Sequence, residues 1–251
     1  SFMKKHILFA MGFLLGFSLL SDAGPPENLI TLSTLDWEPY IGQNLPDQGY
    51  VASLVREAYK AAGFIVDYKF MPWARAVAMA RKGVCDGYLP EYYAESLQKD
   101  FFVSDPFPGG PLGLFKRKAD AIAFRTLTDL KPYTIGVVRD YINTREFDEA
   151  AYLHKEVADN DVTNLRMLVG KRLDLVVADK FVGAYLLKKD MPDRAGEVEF
   201  MSPILEEKNL YLCISRLTPD AEVKIKAFNE GLRAIRENGK LAALLQASSL
   251  Q

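Results

Sequence analysis

Apolar positions along this chain switch between two periods. Trp73, Ala76, Val77 and Ala80 recur at i, i+3, i+4 and i+7, one face of an amphipathic helix. Pro72 stands at its start and Gly83 after its end, where a first-turn proline and a terminating glycine belong. Residues 84–89 then form a short apolar run that predicts a buried strand stopped by Pro90. A helix followed at once by a strand is an αβ unit, and this one delivers Glu91, Tyr92 and Tyr93 to the strand's end. In open α/β sheets, ligands bind at such ends.

The same alternation extends in both directions. Residues 29–34 predict a strand that runs into the loop Asp36-Trp37-Glu38-Pro39-Tyr40. Val51, Leu54, Val55, Ala58, Tyr59 and Ala62 share one helical face, ended by Gly63, and residues 64–70 predict a second strand. The opening part of the chain therefore reads β-α-β-α-β, the pattern of a largely parallel sheet. The glycine-proline group at 108–111 marks a change of course. Beyond it come a strand at 112–116, a helical turn at 128–130, and a buried strand at 134–138 that ends in Arg139-Asp140-Tyr141. A helix from about Thr144, a short strand from Val157 and a helix capped by Asp161 and closed by Gly170 follow. A buried strand at 173–179 and a helix at 180–188 complete this second block. The strand at 209–215 leads to a long helix with Thr218 at its N-cap, Pro219 at N1 and Asn238-Gly239 at its end. A short helix at 241–246 closes the chain, and the pattern as a whole predicts two α/β lobes.

Composition narrows the function classes. The chain has 251 residues, 49% apolar and 25% charged, with a net charge of −2. That balance supplies no basic surface for nucleic acid. Ser1-Phe2 ahead of Met3 read as an appended dipeptide. Lys4, Lys5 and His6, the apolar run 7–20 and Ser21-Asp22-Ala23 then have the three parts of an export signal, so residues 1–23 are set apart from the fold and a periplasmic location is expected. The apolar run is shorter than the ~20 residues of a membrane span. Cys85 and Cys213 each lie in an apolar strand run, and both readings stand: a pair in an oxidising compartment, or two buried thiols. Past the leader only His154 remains, so neither a zinc site nor a histidine-dependent triad is expected, and no cofactor.

Several short motifs, in order, resemble the family 3 extracellular solute-binding proteins, the polar amino-acid type of ABC importers. They are Trp37-Glu38-Pro39-Tyr40; Gly49-Tyr50 before the first helix; Trp73 and Lys82-Gly83 around the second, with Asp86 after it. Phe102-Val103-Ser104-Asp105-Pro106-Phe107 resembles the family's F-S-D-P-Y, and Ile135-Gly136-Val137, Asp174, Asp179 and Asn238-Gly239 continue the series. The resemblance implies a type II periplasmic-binding-protein-like α/β fold of two lobes joined by a two-strand hinge. Lobe 1 would comprise 24–111 and 210–251, lobe 2 would comprise 112–209, and the hinge would lie near 110–116 and 209–215. It implies a monomer that captures a small polar solute, amino-acid-like or amine-bearing, for the membrane permease of an ABC transporter.

The same resemblance marks the expected site. Trp37 and Tyr40 would form an aromatic wall, with Trp73 and Tyr92 beside it. Arg75 and Arg139 are candidate partners for an anionic group. Tyr141 and Glu91 would contact the ligand, and Asp179 matches the family's acidic residue that takes the ligand ammonium, besides being placed to cap the following helix. The chain departs from the family at Glu91-Tyr92-Tyr93, where hydroxyl residues are usual, and at Ser96 or Leu97, where an arginine grips the α-carboxylate. Those departures argue against an ordinary α-amino acid. Two other readings are a secreted enzyme of this fold, resembling the cyclohexadienyl dehydratases, with Glu91 or Asp179 as acid or base, and a sensing module for a membrane receptor. Scarce cations argue against the enzyme, and no catalytic residue is assigned.

Overall fold

The computed structural model describes residues 27–248 and 250, and the expected export signal lies outside them. In the first lobe, β1 (Leu29–Thr34) pairs in parallel with β2 (Ile65–Phe70) and with β3 (Gly87–Glu91). The crossovers are α1 (Tyr50–Lys60) and α2 (Trp73–Arg81). Each presents the apolar face read from its period: Leu54, Val55, Ala58 and Tyr59 on α1, and Trp73, Ala76, Val77 and Ala80 on α2. Gly83 ends the turn after α2 with φ +72°, the left-handed conformation that glycine adopts without strain.

Two strands pass between the lobes. After the short β4 (Phe101–Val103), β5 (Phe107–Arg117) leaves the first lobe. The second lobe is built on β6 (Thr134–Val138), which lies between β7 (His154–Ala158) and β8 (Leu175–Asp179), all parallel. Its helices are α3 (Arg145–Glu149), α4 (Asp161–Val169) and α5 (Lys180–Asp190). After β9 (Val198–Phe200), β10 (Glu206–Ser215) returns to the first lobe, where α6 (Ala221–Glu237) and α7 (Lys240–Ala247) end the chain. The strand order is β2-β1-β3-β10-β5-β8-β6-β7. β5 and β10 pair antiparallel between Phe107↔Leu210 and Leu112↔Glu206, which is where the chain crosses. Of the expected hinge segments, Phe115 and Lys116 instead pair with β8 and β9, and Cys213 to Ser215 pair with β3 and β4.

Several local expectations shift. Pro90 does not stop its strand. It lies inside β3 where the register against β10 slips between Tyr211 and Cys213, a bulge that needs no N–H from proline. The prolines at 108 and 111 likewise lie within β5 rather than before it. β7 begins at His154, not Val157. Asn160, not Asp161, caps α4, its side chain accepting from the Thr163 amide. Asp220 precedes α6, while the Thr218 hydroxyl donates to the Ser215 carbonyl in the turn before it.

Packing ties the first lobe's termini together. α1 and α6 approach so closely that a Cβ on Gly231 would lie 1.7 Å from the Ala58 carbonyl oxygen. Lys224 on α6 reaches Asp86 at 2.7 Å in a largely buried ion pair, and the other Asp86 oxygen accepts from the Thr31 amide of β1. Cys85 and Cys213 are free, buried thiols.

Candidate functional site between the lobes

The ends of the parallel strands face one another across the cleft. From the first lobe, the loop after β1 supplies Leu35, Trp37 and Tyr40, the start of α2 supplies Trp73, and the end of β3 supplies Glu91 and Tyr92. From the second lobe, the turn after β6 supplies Arg139, Asp140 and Tyr141, the start of α4 supplies Asp161, and the end of β8 supplies Asp179. The lobes touch through these groups. Tyr40 Oη donates to Asp179 Oδ2 at 2.8 Å, and Trp73 Nε1 donates to the Asp140 carbonyl at 3.2 Å. The Trp73 and Tyr141 rings meet edge to face, 5.9 Å between centroids. At the rim Lys189 pairs with Glu38 at 2.6 Å.

Two spaces lie in this cleft. The inner one is a cavity of about 20 Å³ walled by Trp37, Trp73, Glu91, Tyr92 and Tyr141, room for roughly one water. The outer one, about 700 Å³, has the size of a small-molecule pocket, ~300–1,000 Å³. It shares Trp37, Trp73 and Tyr141 with the inner cavity. Its lining carries five carboxylates, Asp36, Glu38, Asp159, Asp161 and Asp190, against two cations, Arg139 and Lys189.

The buried carboxylates differ in what they have left to offer. Asp179 Oδ1 accepts from the Phe181 and Val182 amides, capping α5, while its Oδ2 takes Tyr40. Glu91 accepts from the Tyr92 amide and the Tyr88 hydroxyl. Asp161 accepts from the Tyr141 hydroxyl at 3.0 Å on Oδ2, but its buried Oδ1 has no hydrogen-bond partner. The Trp37 indole lies near enough to favour the charged form of Asp161 without satisfying that oxygen. Burial raises all three acids, Glu91 to about 8, Asp179 to about 7 and Asp161 to about 6, and hydrogen bonds hold each below where burial alone would put it. The Tyr92 hydroxyl is also buried without a partner.

The structure brings most of the expected residues to the cleft, in different roles. Trp37, Trp73, Glu91, Tyr92, Tyr141 and Arg139 line one or both spaces. Arg139 is half-exposed and paired with Asp159 at 3.0 Å. Tyr40 and Asp179 line neither space; they bond to each other, and Tyr40 stacks behind Trp37 at 4.6 Å. Arg75 does not reach the cleft. It is exposed on a separate depression with Tyr68, Lys69 and Met79. Asp161, expected from the sequence as a helix cap, also lines the cleft. Asn160 performs that task one position earlier, which leaves the Asp161 side chain for the cleft.

Among the described residues no cluster suited to a metal ion is present, and no helix is long and apolar enough to cross a membrane. No family model and no curated protein sequence matches the chain. Solved structures do. A histidine kinase sensor domain with similarity to periplasmic binding proteins aligns with a TM-score of 0.76 at 21% identity, over 89% of this chain and 98% of that one. An ancestral arginine-binding protein bound to arginine aligns with a TM-score of 0.74 at 18% identity, over 87% and 97%. The substrate-binding protein of an amino acid ABC transporter aligns with a TM-score of 0.73 at 15% identity, over 89% and 100%. The chain therefore has the two-lobed α/β fold of the periplasmic binding proteins.

Proposed function

We propose that this protein captures a small, amine-bearing solute between its lobes and that closure on the solute is what a membrane partner reads. The observation that carries this reading is the outer pocket: aromatic walls, five carboxylates against two cations, and a buried Asp161 oxygen with no partner. A cation entering it gains contacts with the rings and a charge partner at once. A dicarboxylate meets the opposite field. The arginine bound to one structural neighbour is a cation. An ordinary α-amino acid is disfavoured here, because Glu91 lines the inner cavity and the two cations of the outer pocket, Arg139 and Lys189, are already paired with Asp159 and Glu38.

We read the protein as a binder and not a catalyst, with the permease of an ABC transporter as the partner. Similarity to a transporter's substrate-binding protein supports that partner, and similarity to a kinase sensor domain supports the second, a membrane sensor. Titration of amino acids, diamines and small carboxylates, followed by Trp fluorescence and calorimetry, tests capture, since Trp37 and Trp73 both line the pocket. Saturable binding of cations and none of dicarboxylates is expected. Binding of dicarboxylates alone refutes the reading, and chemical conversion of a bound compound makes the protein an enzyme.

A further inference from the structure

Resting on that reading, we propose that the cationic group of the solute is a methylated ammonium, seated against Trp37, Trp73 and Tyr141 with Asp161 as its charge partner. A primary ammonium brings three N–H donors, and each one buried without an acceptor weakens binding. The buried part of the cleft is poor in free acceptors, since Asp36, Asp159 and Asp190 of the outer pocket are exposed. Both oxygens of Asp179 and both of Glu91 already accept hydrogen bonds from the protein. The Asp140 carbonyl is taken by Trp73. Among the described residues lining the cleft, the buried carboxylate oxygen without a partner is Asp161 Oδ1. It serves one N–H.

The rest of the wall suits carbon. The Trp73 indole N–H is directed to Asp140, and the Tyr141 hydroxyl to Asp161, so both rings that line the pocket have their polar ends engaged. Trp37 has one face covered by Tyr40, in a stack 20° from parallel. Aromatic faces attract N-methyl groups because the positive charge is spread over them, and they ask for no hydrogen bond in return. One carboxylate oxygen and three rings thus match an ammonium with at most one N–H.

The test is a series of one scaffold, 2-aminoethanol carrying zero, one, two or three N-methyl groups, titrated by calorimetry against the whole chain. The Kd is expected to fall at least about tenfold from the unmethylated compound to the di- or trimethylated one. Trp73→Leu is expected to remove that dependence on methylation, and Asp161→Asn to weaken the tightest compound at least about tenfold, with melting curves confirming that both variants fold. Binding of the unmethylated compound as tightly as the methylated ones overturns the inference while leaving amine capture intact. Failure of all four compounds, alongside failure of the wider panel of cations, overturns capture itself.

Discussion

The phenol of Tyr40 donates a 2.8 Å hydrogen bond to Asp179 Oδ2, joining residues 139 positions apart on opposite lobes. Both side chains are buried, 0% and 2% exposed. Losing the hydroxyl leaves a buried carboxylate oxygen without its donor, a loss of about 1–3 kcal/mol. Tyr40→Phe is therefore expected to lower the unfolding free energy by about that much and to shift the lobes towards an open arrangement. Chemical denaturation reads the first effect and small-angle scattering the second, as a larger radius of gyration. If neither moves, the bond contributes nothing to closure.

Gly110 supports that bond from the crossing strand. A Cβ there would lie 2.4 Å from Tyr40 Oη and 2.8 Å from the Phe181 ring. Gly110→Ala must displace one of them, and both stand at the contact between lobes. The expected result is at least about tenfold weaker binding of the cleft's ligand, with a loss of stability of about 1–3 kcal/mol from overpacking. Gly196→Ala, where an added Cβ meets nothing within 4 Å, is the control expected to leave both unchanged.

Helices were legible here because their signal is local. The faces of α1 and α2, and the glycines that follow them, are set by spacing and by backbone freedom within a few residues. Arg75 was expected in the cleft, and the same spacing explains why it is not there. It follows Trp73 by two positions, which on a helix turns it to the far side. What the sequence hid was pairing at a distance. Pro90 reads as a strand end until β10 is present to form the bulge around it. Asp179 was recognisable as the polar end of a buried strand, yet nothing near it announces that Tyr40 will occupy one of its oxygens. Asp161 was hidden by a neighbour: Asn160 and Asp161 are both good caps, and which one is used decides which side chain faces the cleft.

The ion pair between Lys224 and Asp86 gives a third expectation. It is 2.7 Å long, with side chains 11% and 16% exposed, and ties α6 to the residue just before β3. Removing one member of a buried pair strands the other charge and costs about 3–5 kcal/mol. Lys224→Met is expected to fall in that range, while Lys224→Met combined with Asp86→Asn recovers part of the loss. Ligand affinity, measured where the variant is folded, is expected to stay at the parent value, because neither residue lines the cleft. Weaker binding would place this pair in the mechanism of closure.

The three buried acids predict two pH dependences of opposite sign. Glu91, Asp179 and Asp161 hold their protons more firmly when folded, at about 8, 7 and 6, than the ordinary 4.5, 3.8 and 3.8. Below about pH 4 both states are protonated, and between about pH 4 and 8 the folded state binds more protons, so stability falls as pH rises and levels off above. Glu91 and Asp179 have the larger shifts and are 4% and 2% exposed, so Glu91→Gln is expected to flatten the profile. Cation binding runs the other way, since it requires Asp161 charged. Affinity is expected to rise from about pH 5 to about pH 7 and then hold, and Asp161→Asn to abolish the rise. Calorimetry across that window separates the two effects. An affinity that tracks stability downward would mean the ligand's charge is not met by Asp161.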